Sequence, residues 1–317
     1  MTLKNLLIGG VAAFTLGACS GATDDMKDAV TDAANDTKQA AAGAIDKAAD
    51  MADNTVNATK LAAVLAMQDD ATKARYDARN PQETLMFFGI EPGMTVVEAL
   101  PGGGWYSKIL IPYLGDEGHL IGADYALDMW PLFGGFATPE FVENKKTWPE
   151  TWVAGAQDWR AGSEADISAF AFGNRDASMD GTVDAVLFIR AMHNLSRFEN
   201  DGLFMTKALA DTHALLKPGG IVGVVQHAGP ESNSDEWAQG SNGYLKQSNV
   251  ISAFNAAGFD LVDESDVNKN PRDVPSNTDV VWRLPQSLRG ARENPELKAK
   301  MEAIGESNRM TLLFKKR

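Results

Sequence analysis

The residues able to do chemistry fall at the ends of apolar runs. Thr95–Leu100 reads TVVEAL, a β-branched stretch that predicts a strand, and it runs directly into Pro101-Gly102-Gly103-Gly104. Glycines let a backbone pass close to a ligand, and the amino terminus of a following helix offers unpaired amide donors. Asp124 follows a second strand-like run, His119–Ala123. A carboxylate at that point is placed to accept both hydroxyls of a ribose. His193 falls just past a run at Val183–Ile189, and His227 just past one at Ile221–Gln226. With an ordinary pKa of about 6.5, imidazole can take a proton or orient a reacting group. Arg190 and Asn194 beside His193 suit a carboxylate or carbonyl, and suit equally the job of pinning the loop that carries it. A lone histidine also serves as a hydrogen-bonded core or surface residue.

These positions need elements to hold them. Pro81 sits in the first turn of a predicted helix through Phe88, and another helix runs from Ser107 to Tyr113. Lys217-Pro218-Gly219-Gly220 reads as a helix stop and a turn into the strand at Ile221. Phe259–Val262 and Met310–Phe314 close the chain, the last of them expected antiparallel. Strands alternating with helices imply a mostly parallel sheet wrapped on both faces, with ligands at the carboxyl ends of its strands. The glycine loop and Asp124 pair as in dinucleotide-binding and S-adenosylmethionine-binding sheets. Trp105-Tyr106-Ser107 follows Gly104, so Gly-x-Gly-x-x-Gly is absent and the pyrophosphate reading weakens. A tight strand–helix turn with a surface aspartate is the plain alternative.

Composition removes several classes. The chain has 317 residues, with 29 Lys plus Arg against 43 Asp plus Glu and a formal charge of −14. Nucleic-acid binding needs clustered positive charge, so none is expected. One cysteine and four histidines exclude an internal disulfide framework and leave no readable metal spacing. We expect no metal.

Residues 1–18 carry Lys4, an apolar run from Leu6 to Leu16, and then small residues before Cys19. The run is too short to span a bilayer as a helix, and it reads as an export signal. Leu16-Gly17-Ala18-Cys19 resembles the bacterial lipobox, which implies lipidation of Cys19 and a membrane partner through that anchor. Ser20 after the cysteine points to the outer membrane, facing the periplasm. Residues 19–60 are rich in Ala and Asp and fit a helical or disordered tether, which leaves 61–317 as one domain.

The stretch Val96-Val97-Glu98-Ala99-Leu100-Pro101-Gly102-Gly103-Gly104-Trp105-Tyr106-Ser107 resembles the first motif of class I S-adenosylmethionine-dependent methyltransferases. It is similar, more narrowly, to a group of exported bacterial predicted methyltransferases. The similarity continues through Arg190-Ala191-Met192-His193-Asn194, Val224-Val225-Gln226-His227, Asn268–Asp273, Trp282–Pro285 and Ile304–Thr311. The resemblance implies a Rossmann-like seven-stranded α/β sheet with the last strand antiparallel and helices on both faces. It implies S-adenosylmethionine as cofactor and a small-molecule acceptor. Glu98, Pro101, Gly102, Gly103 and Gly104 would line the methionine and ribose, Asp124 would bind the ribose, and Asn174 and Asp176 would flank the adenine. His193, His227, Arg190 and Asn194 would carry the chemistry. Three positions depart from the pattern: Leu100 stands for a glycine, Gln226 for an aspartate that would orient His227, and Ala228 for an arginine.

Between Tyr125 and Arg160 lie Trp130, Trp148, Trp152 and Trp159, with Phe133, Phe136 and Phe141. These suit a substrate lid or a satellite core packing the loop onto the sheet. Asn270, Arg272, Glu306 and Arg309 suit a polar network joining the last hairpin to the site. An exported enzyme has to find its cofactor outside the cytoplasm. A non-catalytic nucleoside- or metabolite-binding lipoprotein and a scaffold with a vestigial pocket are therefore the other readings, and NAD binding would revive a dehydrogenase.

Overall fold

The computed structural model describes residue 39 and residues 52–317. The export signal, Cys19 and most of the tether expected at 19–60 lie outside the described residues. The chain divides after Thr55, and the structural description below is of Val56–Arg317.

Its centre is one seven-stranded sheet: β1 (Thr95–Ala99), β2 (His119–Asp124), β3 (Asp166–Ala171), β4 (Val183–Ile189), β5 (Leu216–His227), β6 (Phe259–Ser265) and β7 (Arg309–Lys316), ordered β3-β2-β1-β4-β5-β7-β6. The pairs β1–β2, β1–β4, β2–β3 and β4–β5 are parallel, while β7 runs antiparallel between β5 and β6. The order reverses between β1 and β4. That opens a crevice beyond their carboxyl ends.

Both faces of the sheet are buried, as parallel strands require. Val97, Val186 and Phe188 point into one core with Phe254, Phe259 and Phe314. Their neighbours Val96, Ala185 and Leu187 point into the other with Phe88, Ile109 and Leu110. The alternation follows the two-residue period of a strand. Each such aliphatic or aromatic side chain contributes about 1.5–3 kcal/mol by leaving water, so a one-residue register slip in β4 would put the wrong set in each core. Leu61, Val64 and Leu65, from the helical residues 56–67, complete the second core.

The helix Pro81–Phe87 begins on Pro81, and the helix Ser107–Leu114 follows the glycine turn as expected. Lys217-Pro218-Gly219-Gly220 corrects the sequence reading. It is a bulge inside β5, not a turn before it: Val183 pairs with Leu216 and Ala185 with Ile221. Gly219 absorbs the bulge at φ +73. The segment between β6 and β7 holds its own small core of Leu284, Ala291 and Met301 and reaches back to the end of β5.

Candidate functional site

β1 delivers Glu98 and then the turn. Leu100 sits at φ +57, in the left-handed region where a branched side chain is strained. This explains why glycine suits the position, and Leu100 holds it by packing against the core. Gly102 follows at φ +55 and Gly104 at φ +74. Gly102 and Gly103 are exposed, and a Cβ on Gly103 would meet nothing within 4 Å. Gly104 differs. A Cβ there would fall 2.3 Å from the Trp159 ring, so its bareness serves an indole of the 125–160 insertion and not a ligand. Gly122 in β2 is shaped the same way by Trp152, 2.9 Å from such a Cβ. Trp130 belongs to one core, and Trp152 with Trp148 and Trp159 to the other. The insertion's tryptophans are thus mostly packing.

Glu98 is 4% exposed, and the Ser107 hydroxyl donates to its Oε2 at 2.6 Å. Burial pushes its carboxyl up to about 7, with the Ser107 bond pulling the other way. Asp124, 3% exposed, accepts the Tyr125 amide at 2.9 Å and the Lys145 ammonium at 2.8 Å. Burial raises its carboxyl, and Lys145 opposes the rise. Lys145 lies on the helix Pro139–Lys145, its ammonium 4.0 Å from the Trp130 ring centre and 5.5 Å from that of Phe141. The carboxylate expected to hold a ribose is therefore capped by a lysine that the sequence did not single out.

Asn174 and Asp176 lie on an exposed turn after β3, where Asp176 accepts the Ser178 amide at 2.8 Å. That bond holds the carboxyl below its usual range. Asn194 donates to the Tyr125 hydroxyl at 3.2 Å, and that hydroxyl donates to the Ala191 carbonyl at 2.9 Å. Asn194 here pins the loop after β4.

The two histidines do meet. The His193 ring, on the helix Met192–Arg197, lies 5.7 Å from that of His227. Burial above all pulls His193 down to about 4, and Gln226 partly offsets the shift. No hydrogen bond is complete between that pair: His193 Nδ1 and Gln226 Oε1 are both buried without a partner. Gln226 spends its amide on the Gly243 carbonyl at 3.0 Å. His227 takes its orientation from Ser307 instead, with Nδ1 2.5 Å from the hydroxyl. Its pKa lies well below the usual value, through burial first and then His193, Arg190, Arg309 and Arg79. Both imidazoles are neutral at pH 7.

Arg190 follows β4 at φ +60 and lines a cavity of about 210 Å³ with Arg75, His227, Trp282, Glu306 and Ser307. A second cavity, about 400 Å³, lies against His193, Asn194, Arg197, Phe133, Phe136 and the same Trp282. Of the expected polar network, Glu306 binds Arg75 (Nε–Oε1 2.7 Å) and Arg309 (3.5 Å), and its backbone carbonyl accepts from Asn270 at 2.5 Å. Arg272 stays exposed. Arg75, Arg79, Ser307 and Lys145 were missed in the sequence because nothing in their spacing marks them.

No family model and no curated protein matches the chain. Solved structures do align. The [4+2]-cyclase SpnF is 17% identical, covering 75% of this chain and 80% of its own with a TM-score of 0.44. A SAM-dependent methyltransferase from Aquifex aeolicus is 13% identical, covering 81% and 98% at 0.43. The 1,6-didemethyltoxoflavin-N1-methyltransferase of Burkholderia thailandensis, with bound S-adenosylhomocysteine, is 15% identical, covering 78% and 81% at 0.42. At these identities and TM-scores the alignments decide nothing about this chain. The strand order, with β7 antiparallel between β5 and β6, is that of the class I methyltransferase fold.

Proposed function

We propose that the chain is an S-adenosylmethionine-dependent methyltransferase acting on a small-molecule acceptor. One observation carries the reading: Glu98, the open Gly102–Gly103 turn and Asp124 end β1 and β2 on one side of the switch point, while His193 and His227 meet at the ends of β4 and β5. The cofactor, when bound, supplies an electrophilic methyl group on sulfur. The chain's residues fit it once the Lys145 side chain turns off Asp124, which leaves that carboxylate free for the ribose hydroxyls. Glu98 lines the methionine end, and the exposed glycines offer their amides. The acceptor's lone pair takes the methyl in line, so positioning is the larger part of the task.

Histidine chemistry narrows the acceptor. A base whose conjugate acid titrates near 4 lies about six units below a phenol-like hydroxyl, roughly 8 kcal/mol uphill. His193 therefore orients an acceptor whose lone pair is already free, and His227, fixed by Ser307, stands beside it. The Lys145–Asp124 ion pair favours a second reading, a non-catalytic metabolite-binding protein on this fold. We further propose export with a lipid on Cys19, facing the periplasm, a reading that rests on the leader sequence and that a Cys19→Ala chain failing to take up labelled fatty acid would support.

Calorimetric titration of the whole chain with S-adenosylhomocysteine tests the cofactor reading. Micromolar binding lost in Asp124→Ala is the expected result. A folded chain that binds neither S-adenosylhomocysteine nor S-adenosylmethionine refutes it.

A further inference from the structure

Four guanidinium groups converge beside His227 from three parts of the chain. Arg75 and Arg79 precede β1, Arg190 follows β4, and Arg309 opens β7. Each perturbs others of the set: Arg79 feels Arg190 and Arg75, Arg190 feels Arg309 and Arg75, and His227 feels Arg190, Arg309 and Arg79. Glu306 is the one carboxylate that appears in these couplings. Burial works to raise Glu306, but Arg309 and Arg75 outweigh it and hold it ionised. Four arginines against one glutamate, with both histidines neutral, leave three uncompensated positive charges in a chain whose total is −14.

Several of these donors have nowhere to go. Arg79 is 5% exposed, and its Nε and Nη1 are buried without a hydrogen-bond partner, its guanidinium resting 4.3 Å over the Trp105 ring. Arg190 Nε is likewise buried and unpartnered. Burial pulls Arg79 down to about 9. Burying a cation with unsatisfied donors is costly, and the left-handed backbone at Arg190, φ +60, adds strain to that cost. A chain that carries such a cluster is organised for a ligand of opposite charge. The adjoining cavity of about 210 Å³, lined by Arg75, Arg190, His227, Ser307 and the Arg75-paired Glu306, has room for an acidic group and its waters.

We propose that this cavity is an oxyanion subsite, holding a phosphate or carboxylate group of the acceptor through Arg75 and Arg190, with the charge of Arg79 behind them. The planar guanidinium donors match such oxygens in pairs. The assignment to the acceptor rests on the methyltransferase reading above, whereas the binding of an anion does not. The anion lies against His227 and so fixes the acceptor beside the two imidazoles.

The test uses the whole chain with inorganic phosphate and malonate as probes, at ionic strength matched with chloride. Either probe should raise the thermal midpoint of the wild type and bind with a measurable heat. In Arg190→Gln the affinity should fall at least tenfold, while the ligand-free midpoint holds or rises because a positive charge with a buried, unpartnered Nε is gone. A purely structural arginine predicts the opposite: a lower midpoint and an unchanged anion response. Failure of both probes to bind the folded wild type overturns the subsite. A parallel titration into chain saturated with S-adenosylhomocysteine separates the two possible sources of the acid group. Undiminished phosphate binding supports the acceptor, and competition shows that the cofactor's own carboxylate fills the cavity, which overturns the assignment. Anion binding without S-adenosylhomocysteine binding would sink the methyltransferase reading but leave the subsite standing.

Discussion

Replacing Glu98 with glutamine separates the cost of a buried charge from the loss of a contact. Glu98 is 4% exposed and keeps one hydrogen bond, from Ser107, that a glutamine oxygen can also accept. Burial raises its carboxyl from 4.5 to about 7. A native carboxyl that titrates above its unfolded counterpart holds an extra proton between the two values, so stability falls as pH rises through that window. At 1.36 kcal/mol per pH unit the full loss is about 3 kcal/mol, most of it between pH 5 and pH 8.5. Glutamine carries no such proton. Urea unfolding of wild type and Glu98→Gln at the two pH values should therefore show the variant gaining on the wild type by roughly 2–3 kcal/mol as pH rises. A gap that is independent of pH, or a variant less stable at pH 8.5, would refute the view that desolvation dominates at this carboxylate.

Three further substitutions probe the loop and its cap. Gly104→Ala should cost at least ~2 kcal/mol in denaturant unfolding, because φ +74 strains alanine and its methyl would strike Trp159. Gly103→Ala, with open space around it, should change stability by less than ~0.5 kcal/mol. Lys145→Ala frees Asp124 and should tighten S-adenosylhomocysteine binding roughly tenfold, about 1.4 kcal/mol, in the same calorimetric titration. Weaker binding would mean that Lys145 holds the ligand instead of blocking it.

The strands of the sheet's centre were legible in sequence because their surroundings are uniform. Val183–Ile189 lies between two cores, and a run of apolar residues can be nothing else. Edge strand β3, DISAFA, is half-exposed along most of its length, so its pattern is weak and the sequence did not place it. Lys217–Gly220 has the composition of a turn, and only pairing with β4 shows it to be a bulge. The glycine loop and Asp124 were legible because the chain keeps them next to strands. Lys145 on Asp124 was not, since the ion pair depends on how the 125–160 insertion folds back. The arginine cluster is more distant still: Arg75 and Arg309 become neighbours only when β7 inserts between β5 and β6. Local sequence carries the backbone's decisions, and the charges of this site are brought together by topology.

The lysine that caps Asp124 also makes the protein its own indicator. Its ammonium rests on the face of Trp130, and a positive charge at that distance alters the excited state of an indole. Any ligand that takes over the aspartate must move that charge away from the ring. Trp130 emission would then shift on binding with no dye attached. A chain keeping Trp130 and carrying phenylalanine at the other six tryptophans would turn displacement of Lys145 from Asp124 into colour, readable in real time against a panel of unlabelled metabolites.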